Sequence, residues 1–366
     1  MPEVTARERF ECPACGGAAE WSPAKQALVC PFCGTVSPMQ PDAAASKATV
    51  REYDLVEAMR NLPASARGWE METRSVKCQS CQAISVFAAE RVAQNCEFCG
   101  SPALVPYDEI KAPIRPESVL PFKLSQSEMR ERVHRWYRSR WFAPNKFKQR
   151  AFTDTLHGAY LPYWTFDAQV HADWMADAGF YYYETETYED DQGRTQTRQV
   201  QYTRWEPASG SLDHFFDDEL VPASRGVPEN LLRKVEPFPT NELAPYDPGY
   251  VSGWVVEQYQ IDLVAAAANS RQQMDGKLQR LCAEQIPGDT YRNLQVSADY
   301  SAQTFKHVLL PVWLLTYQYG ARTFRVVANG YTGTIGGKYP KSWIKITLLV
   351  FVILIVVLIV LASSQH

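Results

Sequence analysis

Several features that would place a chain early are missing from this sequence. Its opening stretch, MPEVTARERFECPACGG, has no apolar run before the first cysteine, so neither a secretory signal nor the oxidising compartment it leads to is expected. Nowhere in the first 340 residues is there a long apolar run. A glycine-rich phosphate-binding loop ending in Gly-Lys-Ser or Gly-Lys-Thr is absent, which leaves nucleotide-driven motor chemistry without a site. The acidic clusters Glu189-Asp190-Asp191 and Asp217-Asp218-Glu219 have no spaced histidine or nucleophile beside them, so they read as solvated turns. Net charge is only −4, too small to mark the whole chain as a polyanion binder. Hydrophobic residues at 46% and charged residues at 21% exclude general disorder, and 366 residues suffice for two or three folded units.

What the chain does have is cysteine in pairs. Eight of its 9 cysteines form four Cys-x-x-Cys pairs: Cys12/Cys15, Cys30/Cys33, Cys78/Cys81 and Cys96/Cys99. The same 14-residue spacer joins the first pair to the second and the third to the fourth, so one module occurs twice. Two residues between cysteines let one tight turn offer both sulfurs to one ion, and two such turns complete a tetrahedron around Zn²⁺ at about 2.3 Å per bond. Gly16, Gly34 and Gly100 follow three of the pairs and ease the turn beneath the metal; Gln82 follows the other, where a less regular turn is expected. Strand-like Ala27-Leu28-Val29 and Ile84-Ser85-Val86-Phe87 between the pairs complete the pattern of a zinc ribbon, a unit too small to fold without its metal. Disulfides need an oxidising compartment, and a redox dithiol would be one pair in a larger fold. Four thiolates close the coordination sphere, so two structural Zn²⁺ sites are expected, with Cys12, Cys15, Cys30, Cys33, Cys78, Cys81, Cys96 and Cys99 as ligands. Cys282 lies in an apolar helical pattern and reads as a core residue.

Residues 344–361 read IKITLLVFVILIVVLIVL. Eighteen helical residues rise about 27 Å, close to the hydrocarbon thickness of a bilayer. Lys345 at the edge can snorkel, and Tyr339 and Trp343 suit the interface. Lys338, Lys341 and Lys345 precede the span, whereas Ser363-Ser364-Gln365-His366 follows it, so the positive-inside rule puts the N-terminal head in the cytosol. The expectation is a tail-anchored, single-pass protein of the plasma membrane.

The expected fold class is α+β: ribbon 1 at 1–40, a linker and short helix at 41–70, ribbon 2 at 71–107, a β-rich domain with amphipathic helices at 108–340, and the transmembrane helix. Residues 37–50 read as flexible linker. Ser125-Gln126-Ser127-Glu128 is a capping box opening a helix through about Phe142. Met129, Val133, Trp136 and Tyr137 make its apolar stripe, and its arginines face outward. Residues 109–150 hold 11 Lys+Arg against 4 Asp+Glu, and this basic helix offers Arg132, Arg135 and Arg138 to anionic lipid or an acidic partner. Long strands follow from Tyr160 to Val227, with a hairpin turn at Asp190-Asp191-Gln192-Gly193, then a helix at about Leu263–Gln285, then strands to Gly337. Leu161-Pro162-Tyr163-Trp164 echoes Leu310-Pro311-Val312-Trp313, each shortly after a histidine (His157, His307). Two equivalent core strands are the favoured reading, ahead of a paired aromatic pocket.

Taken together, CQSCQ…CEFCGS, LPFKLS, RWFAPN, YLPYWTFDA, PYDPGYVSGWVVEQY and NGYTGTIGGKYPKSW form a pattern over nearly the whole chain. The ribbons resemble the transcription factor IIB type. The full set resembles the bacterial tail-anchored zinc-ribbon membrane proteins often labelled, on the ribbons alone, as relatives of the replication restart helicase primosomal protein N′. The resemblance implies a membrane scaffold associated with membrane-stress proteins, phage-shock protein A-like or flotillin-like. The leading expectation is thus a non-enzymatic adaptor. Nucleic-acid binding through the ribbons is the alternative, opposed by an acidic ribbon region and a formal −2 on each four-thiolate centre.

Overall fold

The computed structural model describes residues 10–37, 50–61, 73–88, 94–107, 113–144, 156–189, 193, 195–319 and 322–363. Most of the expected linker, the Asp190-Asp191-Gln192 turn and the last three residues lie outside these. The fold is mixed α/β and mostly strands. A first small sheet holds β1 (Glu20–Ser22), β2 (Ala27–Val29) and β3 (Val36–Ser37). After β4 (Tyr53–Asp54) and helix α1 (Leu55–Asn61) come β5 (Thr73–Cys78), β6 (Ile84–Ala88), β7 (Leu104–Pro106) and β8 (Ser118–Val119), then α2 (Gln126–Arg138). Two very long strands follow, β9 (Leu156–Glu189) and β10 (Thr195–Pro222). Short pieces α3 (Glu229–Leu232), β11 (Ala244–Pro245), α4 (Pro248–Val251) and β12 (Val255–Glu257) lead to α5 (Leu263–Ala283). The chain closes with β13 (Thr290–Tyr319), β14 (Arg322–Asn329), β15 (Ile335–Gly337) and α6 (Trp343–Ser363). All strands from β4 to β15 join one 12-stranded sheet.

The sequence explains the strand lengths. From Ala168 to Ala178 the even positions of β9 are buried, and Gln169, His171, Asp173 and Met175 between them are exposed. This period of two marks a sheet with one covered face. The preceding run Ala159–Asp167, and Phe305–Leu315 in β13, are buried throughout, as strands covered on both faces must be.

These two buried runs cross at the centre of the sheet, where Leu161 pairs with Leu310. An approximate twofold axis through that pair relates two copies of one unit: strand, helix, long strand, return strand. Val255 and Val256 of β12 run parallel to Ala159 and Tyr160, and Ser118 and Val119 of β8 run parallel to Val308 and Leu309. Loop bonds repeat the relation: Ala223 N donates to Pro162 O at 3.0 Å, and Gly330 N to Pro311 O at 2.8 Å. Gln260 N then donates to Ala223 O (2.8 Å), and Lys123 N to Gly330 O (3.2 Å). The helix caps match too, since Ser125 accepts from Glu128 N and Asp262 from Ala265 N. The echo of Leu-Pro-Tyr-Trp in Leu-Pro-Val-Trp is therefore the centre of a symmetric sheet, with Trp164 and Trp313 buried.

The two faces of the sheet carry different cover. Tyr160, Leu309, Trp313 and Leu315 lie under Met129, Val133 and Tyr137 of α2. Trp164, Val170, Trp174 and Phe305 lie under Leu263, Ala266, Met274, Leu278 and Cys282 of α5. On the opposite face, Leu161, Val308, Leu310, Val312 and Leu314 meet Phe87, Cys96 and Phe98 together with Leu231, Val235 and Phe238. The capping box of α2 is present, with Ser125 N donating to Glu128 Oε2 at 2.8 Å. The helix ends at Arg138 rather than Phe142, and the chain goes on in turns to Ala143. Helix α6 is long and apolar enough to cross a membrane, and none of its Trp343–Val360 stretch is buried in the head. Lys345, expected to reach for water, instead donates to Trp141 O (3.0 Å) and Ala143 O (2.8 Å), and Ser342 N donates to Phe142 O (2.7 Å).

Candidate metal centres

Each set of four cysteines converges. Cys12 and Cys33 lie 3.5 Å apart at sulfur, as do Cys15 and Cys30. Cys78–Cys99 and Cys81–Cys96 are each 3.6 Å. Within each set all four sulfurs fall within 4.8 Å of one another. A disulfide would need about 2.05 Å, whereas the edge of a tetrahedron with bonds of about 2.3 Å is roughly 3.8 Å. The sulfurs are thus spaced to hold a metal ion, and all eight predicted ligands are placed in the two groups.

One turn builds every pair. In each, the residue after the second cysteine donates its N–H to the carbonyl of the first: Gly16 to Cys12 (2.8 Å), Gly34 to Cys30 (3.0 Å), Gln82 to Cys78 (2.9 Å) and Gly100 to Cys96 (2.7 Å). That residue is left-handed in all four, with φ of 70° at Gly16, 75° at Gly34, 74° at Gly100 and 66° at Gln82. The less regular turn expected at Gln82 is not found. Its side-chain amide bonds Gln79 O at 2.8 Å and helps hold a conformation that costs a side chain about 1–2 kcal/mol.

Backbone amides also aim at the sulfurs, among them those of Ala14, Thr35, Ala83 and Ser101, and favour the thiolate. Cys33 is pulled down to about 6, first by the Thr35 hydroxyl 3.1 Å away. Cys96 is held at about 5, first by the hydrogen bond from Cys81, whose own thiol is pushed far up by the same bond and by burial. Without metal, then, the thiols of a group cannot ionise independently; a divalent cation removes that conflict.

The two modules differ in setting. In the first, Cys15 and Cys33 are exposed. It is fastened to the sheet through Trp21, whose indole meets Tyr250 edge-on at 4.9 Å and whose backbone N bonds Ser252 O (3.1 Å). Trp254 Nε1 donates to Trp21 O (3.1 Å) and Ser252 Oγ to Ala19 O (2.7 Å). The motif PYDPGYVSGWVVEQY is this receptor, a role that no sequence signal separated from core packing. In the second module the corresponding Cys81 and Cys99 are partly covered, and β6 pairs with β12 through Val86–Val256. Beside that junction Glu257 is fully buried, and burial pushes its carboxyl up to about 8; Gln260 Nε2 donates to it at 2.8 Å. Sequence reading did not single out Glu257, although it lies in PYDPGYVSGWVVEQY, because nothing local marks that carboxylate as buried.

Other candidates resolve as structure. Asp217 and Asp218 are not in a solvated turn: they sit at a bulge of β10 and gather with Asp167. Lys306, itself buried, fills the cationic position there, 2.7 Å from Asp218 and 2.8 Å from Glu52. Glu219 pairs with Lys277 at 2.5 Å. His307 is buried against Trp164, with Nδ1 2.9 Å from Ile114 O, and is pushed down to about 4 by burial. Arg132, Arg135 and Arg138 are all exposed on α2, but Arg132 reaches back to Thr332 O (3.4 Å), away from the other two.

No family model matches this chain, and no solved structure matches it. The uncharacterized protein YdjG of Bacillus subtilis (strain 168) is 24% identical over 245 residues, covering 64% of this chain and 67% of that protein.

Proposed function

We propose that this chain is a membrane-tethered, non-enzymatic adaptor whose two cysteine modules are structural zinc ribbons. The observation that carries the reading is the joint between head and α6: an apolar helix of 21 residues leaves the head at Trp343 and is bonded to it by Ser342 and Lys345. Such a head serves at a membrane surface. Four thiolates per site leave no position for substrate, so the metals hold shape rather than react. The aspartate cluster, the other group of possible ligands among the described residues, already holds a cation, the Lys306 ammonium 2.7 Å from Asp218. The head faces the cytosol, where thiols stay reduced and lysines flank the span. Its partners are proteins of membrane stress, phage-shock protein A-like or flotillin-like, as the sequence resemblance implies. Nucleic-acid binding is the weaker reading, because the modules' thiolates add negative charge where phosphate would have to approach.

The test is capture of the full-length chain from detergent-solubilised membranes, with a form lacking residues 344–366 in parallel. Elemental analysis should find two zinc ions per chain. A phage-shock protein A-like or flotillin-like partner should co-purify, and should leave the membrane fraction when the head is freed. Absence of such partners from the full-length capture, or metal-free folded protein, would sink the reading.

A further inference from the structure

The joint between α2 and α6 also fixes what faces the bilayer. Ser342 N bonds Phe142 O at 2.7 Å, so the backbone after α2 runs beside the first residue of the apolar helix. Lys345, one turn in, clamps Trp141 O and Ala143 O. The residues on either side of Phe142 therefore share the level at which α6 begins. Trp141 is 53% exposed and Trp343 80% exposed, two large indoles offered to solvent at one end of the head. Exposed tryptophan is costly in water and favoured at the headgroup level of a membrane.

Charge points the same way. Neither 132–144 nor 322–345 contains an Asp or Glu. Arg135 and Arg138 in the last turn of α2 are exposed, as are Lys338 and Lys341 before α6. Arg140 is folded over Trp136 at 4.2 Å and Arg132 lies on the Thr332–Gly333 turn, so neither belongs to this patch.

We propose that the end of α2 and the start of α6 form one membrane-contact surface, in which Trp141 enters the headgroup layer beside Trp343 and Arg135 and Arg138 meet anionic lipid. The inference rests on α6 crossing the membrane. It narrows the basic helix to its last turn and adds a tryptophan that charge alone does not indicate.

Full-length protein in nanodiscs of phosphatidylglycerol and phosphatidylcholine provides the test, with p-benzoylphenylalanine placed at position 141, 343 or 183. Illumination should give lipid adducts at 141 and 343 at comparable yield and none above background at 183, on the far part of β9. Adducts at 343 without adducts at 141 would overturn the contact surface while leaving the span intact. No adduct at 343 would bring down the span, and the inference with it. Yield at 141 should fall severalfold in pure phosphatidylcholine, and the Arg135→Glu/Arg138→Glu double variant should lose this lipid dependence. Equal yields in both lipids would overturn the role of the arginines.

Discussion

The same cysteine module occurs twice, and the two copies differ in what surrounds them rather than in how their four sulfurs converge. Cys30-Pro31-Phe32-Cys33 and Cys96-Glu97-Phe98-Cys99 occupy equivalent turns, yet Phe32 is 79% exposed and Phe98 2% exposed. The second module places that ring in the main core, and Thr316 Oγ1 donates to Phe98 O at 2.9 Å beside it. The first keeps its own three-stranded sheet and is fastened through Trp21. The two modules thus share one arrangement of cysteine turns, whereas the energetic weight of each in the protein is set by what its second turn touches.

The largest effect should come from breaking each site in turn. A structural zinc contributes about 10–16 kcal/mol to a small ribbon. Cys96→Ala should lower the main unfolding transition of the whole head, because the sheet loses its cover at Leu310 and Val312 along with the site. Cys30→Ala should release amide protection within residues 10–37 and leave the main transition in place. Calorimetry with hydrogen exchange reads both; equal effects of the two substitutions would remove the distinction.

The phenylalanines sharpen it. Phe98→Ala should cost about 3–5 kcal/mol, the usual range for a buried ring. Phe32→Ala should stay within about 0.5 kcal/mol, as for an exposed side chain. Denaturant unfolding of the zinc-loaded head measures the difference.

A third contrast is kinetic. Cys15 and Cys33 are open to solvent while their counterparts Cys81 and Cys99 are partly covered, so a chelator should remove one metal ion before the other. Two separated phases of metal release are expected, and Trp21→Ala should speed only the first. A single phase for both ions would show that the sheet does not shield the second site.

Glu257 attaches a pH dependence to the second module. Its folded value is about 8, above the ordinary 4.5, so the folded head holds a proton that the unfolded chain gives up. Its contribution is fully present below about 4.5 and is lost as pH rises toward 8. Glu257→Gln should flatten stability over that window relative to wild type; parallel pH profiles of the two proteins would contradict the assignment. The one stabilising change is Gln82→Gly, which should stabilise the second module by up to about 1 kcal/mol, because glycine adopts φ near 66° without a Cβ clash.

Much of this was legible in the chain. Cys-x-x-Cys spacing determined which eight sulfurs converge, since a turn of two residues has little choice of geometry. Eighteen apolar residues determined α6, because length and composition alone decide whether a helix can match a bilayer. Ser125 and Glu128 determined where α2 starts, through hydrogen bonds made within one turn. Alternation from Ala168 to Ala178 determined a strand with one dry face. Only the tertiary structure decided the rest. The twofold sheet was visible as a four-residue echo, because its equivalences lie in backbone bonds such as Ala223 N to Pro162 O that any side chain permits. The fates of Phe32 and Phe98, the neutral carboxyl of Glu257, and the pairing of Lys306 with Asp218 all depend on groups far apart in sequence. Local patterns record contacts made within a turn or along a strand; which faces then meet is decided by long-range burial, and that leaves no spacing to read.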